Sequence, residues 1–460
     1  MSQSRSESGT ATGVRDAFLA QAGFCERLGS PLTALLCRVL ADGVDSTNEL
    51  ERSILAWRGD PSPCADSLPL RLAGALHALV RAGRVPALAA LYPPHPLADP
   101  PRLLAAVRSA LGENGAFVRE FLRHPPQTNE VGRAAPLVAG WLEIAARTGY
   151  PLSLFELGAS AGLNVIADRY AYRFGDTPWR SDTPGSGARA GSAEVMVACG
   201  WSGPLPPLDA PLLIHSRRGC DRHPLDVTDL SQCERLKAYV WADQRERLER
   251  LDAAIGAMQT APIRVEACDA QQWLASVLPS ASEPYVTRVV FHSIFWSYLA
   301  PAAQEQITAY VTRIAAEASM ERPLAWLRLE LLGRDQPAAL RLTLWPGGGR
   351  MSCLPESIRT VRGSTGENEA WLGVAGRHAA LGVWRAAGGL RGKPRRPGRP
   401  VVRAAFGCWW PPPRRIREGR LRVGVSRLGV GSRWHDTAEA LGPGSRPSAT
   451  SVPPRCRQRI

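Results

Sequence analysis

Leu152-Ser-Leu-Phe-Glu-Leu-Gly-Ala-Ser-Ala-Gly-Leu-Asn164 is the stretch whose reading decides the fold. An apolar run opens it, Glu156 follows, and Gly158, Ser160 and Gly162 punctuate a turn of small residues. Short apolar runs bounded by turn residues predict buried strands. The pattern therefore predicts a strand over 152–156, a tight turn, and a helix from Gly162 to Tyr170. Small residues are needed where backbone comes close to a neighbour or takes a positive φ. An acid at the strand end repels a pyrophosphate and suits a ligand with a cationic end. A purely structural strand–turn–helix connection has the same pattern, so both readings stand at this point.

Working outward, the texture after residue 151 is α/β. Strands are predicted at Glu194–Cys199, Leu212–Ser216, Ile263–Cys268, Val286–His292, Leu324–Leu332 and Leu340–Trp345. Helices are predicted over 231–258, with a break near Asp243, and over Ala302–Ala318. Strands alternating with helices imply a mostly parallel sheet. Residues 14–148 carry apolar residues at helical spacing, as in Leu32-Thr-Ala-Leu-Leu-Cys-Arg-Val-Leu40, and predict an all-α N-terminal domain. Residues 1–13 are polar and are expected to be disordered. The α/β domain is expected to span 149–348.

Composition narrows the function classes. The net charge of +14 is concentrated at one end: residues 350–460 hold 22 Lys and Arg against 6 Asp and Glu. A nucleic-acid reading would rest on that tail alone, so no nucleic-acid partner is expected. No apolar run is long enough to span a bilayer, and the N-terminus lacks a signal-peptide core. Ten scattered cysteines form no C-x-x-C pair, which argues against a zinc site or a disulfide framework. No metal is expected, and a cytoplasmic location is. The residues point to a small-molecule substrate and carry no signal of oligomeric state.

The tail itself, 349–460, is rich in Arg, Pro and Gly and predicts a disordered basic arm. A shifted reading frame explains it better. Read one base earlier with GC-rich codons, Met351 to Gly366 becomes Asp-Val-Leu-Pro-Ala-Arg-Val-His-Pro-His-Gly-Ala-Trp-Val-Asp-Trp, followed by a stop. That peptide alternates as a strand does. A frameshift near Gly349–Arg350, in the gene or its sequencing, is therefore expected, and resequencing the DNA there checks it.

Two resemblances follow from these residues. The strand, Glu156 and the Gly158–Gly162 turn resemble the first motif of class I methyltransferases that use S-adenosylmethionine, with Ser160 in place of the middle glycine. The resemblance implies a Rossmann-like, methyltransferase-type sheet behind the helical domain. Seven islands together resemble an uncharacterised bacterial family, the domain of unknown function 2332 family, over residues from about 15 to 348. They are Gln127-Thr-Asn-Glu-Val-Gly-Arg133, Phe155 to Asn164, Arg218-Gly-Cys-Asp221 with Pro224-Leu-Asp226, Trp241-Ala-Asp-Gln244, Asp269-Ala-Gln-Gln-Trp273, Phe291-His-Ser-Ile-Phe-Trp296 and Leu344-Trp-Pro-Gly347. That family implies no activity. Its members resemble one another in ending soon after a His-Pro-His-Gly-x-Trp segment, in keeping with the shifted frame.

The methyltransferase resemblance implies roles residue by residue. Gly158, Ser160 and Gly162 would floor an S-adenosylmethionine site, and Glu156 would take its amino group. Asn164 would add a polar contact or is an ordinary first-turn residue. An acid after the second strand would take the ribose, for which Asp221 and Asp243 are candidates; Asp243 is equally a helix cap. Asp269 and Ala270 match the adenine position, or Asp269 caps the helix of Trp273. His292 ends a strong strand and is a candidate base, because imidazole titrates near neutrality; a structural histidine is the alternative. Trp296, with Phe295 and Tyr298, lines an acceptor pocket or belongs to the core. Gln127 and Asn129 are candidate acceptor contacts in a segment closing over the site. Glu130 is a candidate second catalytic group, or a first-turn residue favoured by the helix dipole. Arg218 and Asp221 would hold an acidic group on the acceptor, or form ion pairs.

Two other function classes remain. Gly158-x-Ser160-x-Gly162 also has nucleophile-elbow spacing, with Asp269 and His292 downstream, so a serine hydrolase using Ser160 is one. The helical N-terminal half lacks the strands that should precede such an elbow. A non-catalytic ligand-binding or interaction module on the same fold is the other.

Overall fold

The computed structural model describes residues 3–346, apart from 46–47, 64, 183–193, 280 and 332–337, together with residues 352–353. The expected disordered tail and its frameshift otherwise lie outside the described residues.

Eight helices come first: α1 (Gln3–Arg27), α2 (Pro31–Gly43), α3 (Glu49–Leu55), α4 (Leu68–Arg81), α5 (Pro86–Ala89), α6 (Pro100–Glu113), α7 (Gly115–Leu122) and α8 (Ala134–Thr148). The expected disorder over 1–13 is corrected from residue 3 onward. Once the buried segment from Val14 has nucleated a helix, each added residue gains a hydrogen bond, so even polar residues extend it. Asn48 and Asp99 cap α3 and α6 by accepting from Glu51 N and Arg102 N.

The apolar core divides before the expected boundary at residue 148. One cluster joins α1–α7 with Ala238 and Tyr239 and ends at Leu122. Val131 and the apolar face of α8 belong instead to the cluster on the sheet. Trp141 of α8 meets Phe291 edge-on at 5.3 Å, and Gly140 lets the helix approach Leu327 closely.

Ten strands follow: β1 (Leu152–Leu157), β2 (Ala171–Phe174), β3 (Thr177–Arg180), β4 (Met196–Cys199), β5 (Ile214–Asp221), β6 (Val265–Ala267), β7 (Thr287–Ser293), β8 (Leu324–Leu331), β9 (Ala338–Trp345) and β10 (Ser352–Cys353). Helices α9 (Leu230–Ala238), α10 (Arg245–Thr260), α11 (Ala270–Val277) and α12 (Pro301–Ala315) are interspersed. The main sheet has the order β10-β9-β8-β7-β1-β5-β6. β6, β5, β1, β7 and β8 run parallel, β9 runs antiparallel to β8, and β10 runs antiparallel to β9. The mixed α/β, mostly parallel sheet is therefore as expected. Every residue of β1 and β7 is buried, as central parallel strands covered on both faces must be. One face packs on α8; α11 and α12 cover the other through Trp273, Ile307, Val311 and Ile314. A second sheet, β3-β2-β4, lies between β1 and β5 in the chain.

The predicted helix from Gly162 to Tyr170 does not form. The chain makes turns and a single 3-10 turn, Ala167–Arg169. Gly162 sits at φ +75°, outside the helical region, and the backbone closes into short turns, Gly162 N donating to Ala159 O and Val165 N to Gly162 O. Tyr170 and Tyr172 donate their hydroxyls to Leu163 O and Ala167 O, locking the turns instead.

Candidate functional site

β1 is the strand where the parallel order reverses, with β5 on one side and β7 on the other. Crevices for ligands in open α/β sheets form at the carboxyl ends of strands at such a point. The loop leaving β1 holds three positive φ values in five residues: Gly158 at +68°, Ser160 at +55° and Gly162 at +75°. A β-carbon on Gly158 would overlap the ring of Phe295, and one on Gly162 would stand 2.9 Å from Val265 Cγ2. Glycine is thus needed at both for space as well as for φ.

Side chains from two segments hold this loop. Asp221, the last residue of β5, accepts from Ser160 N at 2.9 Å and from His223 N at 2.9 Å. Asn129 Oδ1 accepts from Ala161 N at 3.2 Å and Leu163 N at 3.0 Å. Gln127 donates to His223 O at 2.9 Å. The Gln127–Arg133 segment therefore does close over the loop. It does so by satisfying backbone groups, which commits the Asn129 carboxamide oxygen that was expected to meet an acceptor.

Glu130, offered as a second catalytic group, lies in a cluster of ion pairs. It is buried, accepts from Gly132 N, and faces Arg247 at 2.6 Å and Arg250 at 3.5 Å. Burial alone would push its carboxyl up, but Arg247, Arg250, the Gly132 N–H and Arg133 outweigh that and hold it at about 2. A carboxylate so stabilised is a poor proton acceptor at neutral pH.

Glu156 is the opposite case. It is also buried, and its Oε2 has no hydrogen-bond partner among the described residues. Burial raises its carboxyl well above the usual range; Arg133 opposes the shift and Asp221 adds to it. Ser160 Oγ and Asn164 Oδ1 are likewise buried without partners. Buried polar atoms are normally paired, so a cluster of open ones marks a place for a ligand or water.

His292 lies at the same end of the sheet but on the other face. Leu154 and Phe291 point into the α8-side core, Phe155 and Val290 into the α12-side core. Strand alternation then puts Glu156 on the α8 side and His292 on the α12 side. His292 is fully buried; its Nδ1 is 2.7 Å from Glu330 Oε1, and Nε2 has no partner. Trp296 stacks on it at 5.0 Å.

The remaining candidates make contacts within the chain. Arg218 pairs with Glu266 at 2.7 Å rather than with Asp221. Asp269 caps α11 through Gln271 N and pairs with Arg222 at 2.7 Å; Ala270 is buried at the start of that helix. Asp243 accepts from Ser30 Oγ and Leu32 N, against the helical region, which removes it as a ribose contact. Among the described residues, no group of three or more His, Cys, Asp or Glu is placed to hold a metal ion, and no helix is long and apolar enough to cross a membrane.

Sequence reasoning missed two central groups. Arg133 is buried, donates to Ser293 O at 3.0 Å at the end of β7, and acts electrostatically on both Glu130 and Glu156. Glu330 of β8 is the partner of His292. The signal for Glu330 was a carboxylate inside a strand that is apolar apart from Arg328.

No curated protein and no solved structure matches the chain. One family model does, over residues 15–355, described as an uncharacterized protein conserved in bacteria (DUF2332). The chain belongs to this bacterial family.

Proposed function

We propose that the chain is an S-adenosylmethionine-dependent methyltransferase acting on a small-molecule acceptor. The observation that carries this is a row of carboxylates at the ends of three adjacent parallel strands. Glu156 is the penultimate residue of β1, Asp221 ends β5, and Asp269 follows β6. A ligand with an ammonium, a ribose diol and an adenine amino group offers one donor to each. Glu156 supports the cationic end most strongly, because a buried carboxylate with an open oxygen is costly until a cation meets it. S-adenosylmethionine would supply the electrophilic methyl group. The missing helix after β1 departs from the usual form of such sites, and the Phe295 ring must yield for a ligand to lie on Gly158.

Thermal denaturation of the full chain with and without S-adenosylmethionine tests the reading. The expected result is a higher melting temperature with ligand, lost in Gly158→Val and Glu156→Ala. A folded chain whose melting does not move removes it.

One observation favours a second reading. Ser160 combines a positive φ with a buried, unpartnered hydroxyl, as a nucleophile on a strained turn would. Against this, His292 bonds Glu330 and not Ser160, from the other face of the sheet. Ester hydrolysis abolished by Ser160→Ala would favour the hydrolase. Binding of S-adenosylmethionine with no methyl transfer to any acceptor would favour a non-catalytic module.

A further inference from the structure

One oxygen of Glu330 serves three donors. Its Oε1 lies 2.7 Å from His292 Nδ1, 3.0 Å from Phe295 N and 3.2 Å from Trp296 N. The two backbone amides can only donate, so this oxygen is an acceptor, and an acceptor facing Nδ1 requires the proton to be on Nδ1. A neutral imidazole protonated there carries its lone pair on Nε2, the nitrogen that is buried without a partner. The ring cannot turn easily out of this arrangement. Trp296 stacks on it at 5.0 Å, with Phe295 at 5.8 Å and Trp326 at 6.1 Å around it. The chain reaches Phe295 through Ile294, a β-branched residue at φ +47°. Such a conformation persists only where its surroundings enforce it. Ile294 N donates to Leu329 O at 2.8 Å, and Glu330 holds the next two amides.

We propose that Glu330 is a positioning residue that fixes His292 as the Nδ1–H tautomer, leaving Nε2 to take a proton from an O–H or N–H acceptor. This rests on the methyl-transfer reading. In that reaction the acceptor oxygen or nitrogen forms a bond to the methyl carbon. The carbon–sulfur bond breaks with its electron pair going to sulfur, and the acceptor proton goes to His292 Nε2. The imidazolium so formed faces the Glu330 carboxylate, which stabilises it. The acceptor class follows: a neutral alcohol, phenol or ring N–H must lose a proton, whereas a thiolate needs no base. Phe295 and Trp296 cover His292, and both hang from the oxygen that orients it.

The test is the tautomer itself. Imidazole 15N–1H correlation spectra are recorded on the full chain labelled at histidine, with the His292 signals assigned by their loss in His292→Gln. Wild type and Glu330→Gln are expected to show a protonated Nδ1 and a bare Nε2, since a glutamine oxygen still accepts. Glu330→Leu is expected to shift the ring to Nε2–H. A protonated Nε2 in wild type overturns the proposal, as does a Glu330→Leu spectrum identical to wild type. The wild-type spectrum needs no Glu330 variant to fold and no methyl donor. A wrong tautomer in a chain that binds S-adenosylmethionine therefore rejects Glu330 and spares the methyl-transfer reading. The right tautomer in a chain that binds none rejects the acceptor class together with that reading.

Discussion

Glu130 and Glu156 are two buried glutamates on either side of Arg133, and they are satisfied in opposite ways. Glu130, in the segment that closes over the loop, has two further arginines and a backbone N–H. Glu156, at the end of β1, keeps an oxygen with no partner. The first carboxylate is satisfied within the chain; the second keeps an oxygen that no described residue meets. Burial affects both carboxylates alike, so the difference lies in the charges placed around them. A buried acid marks a ligand site only when its own chain leaves it open.

The largest effect should come from breaking the closed side. Glu130→Ala leaves Arg247 and Arg250 facing a buried gap, and chemical denaturation is expected to show a loss of about 3–5 kcal/mol. Glu156→Gln, which removes a buried charge lacking a full partner set, is expected to leave the ligand-free chain no less stable than wild type. Equal losses in the two variants would erase the distinction.

Acid sharpens the same comparison. The folded carboxyl of Glu130 sits at about 2, below its ordinary 4.5. Its contribution is present above 4.5 and is lost as pH falls from there toward 2, by about 3 kcal/mol in all. His77, buried and held at about 4 from an ordinary 6.5, chiefly by desolvation, acts earlier. The unfolded chain takes up that proton first, so stability declines as pH falls from 6.5 to 4. Glu156 has the opposite sign: its raised carboxyl costs stability above 4.5, and the cost is recovered as pH falls. Stability against pH for wild type, Glu130→Gln and His77→Gln separates these windows. A Glu130→Gln curve parallel to wild type below pH 4.5 would contradict the ion-pair assignment.

A smaller effect is expected at Asn129. Its replacement by Ala leaves Ala161 N and Leu163 N without their acceptor, a cost of about 1–3 kcal/mol for a buried donor. Hydrogen exchange should speed up at those two amides before it does at β1. Unchanged exchange there would mean that the loop holds its shape unaided.

Much of the fold was legible because apolar runs reveal buried strands. β1 and β7 are buried throughout and were found within a residue or two. The helix after β1 was not, because positive φ at Ser160 and Gly162 depends on contacts from Asn129 and Asp221, distant in sequence. The site was legible in part. Glu156 and the glycine loop stand out locally, and so does His292 at the end of its strand. The roles of Glu130 and Glu330 depend on partners 117 and 38 residues away, which no local pattern encodes. Polar residues in the Gln127–Arg133 island suggested chemistry, yet Gln127 and Asn129 bond backbone groups of neighbouring loops.

A cation that completes Glu156 would couple S-adenosylmethionine binding to the protonation of that carboxyl. Calorimetry of S-adenosylmethionine binding to the full chain, in two buffers of different ionisation heat, measures it most directly. The account predicts binding accompanied by proton release, as an ammonium beside Glu156 lowers its raised carboxyl, with both heat and release lost in Glu156→Gln. Binding that persists unchanged in Glu156→Gln, or no heat from a folded wild-type chain, would contradict it.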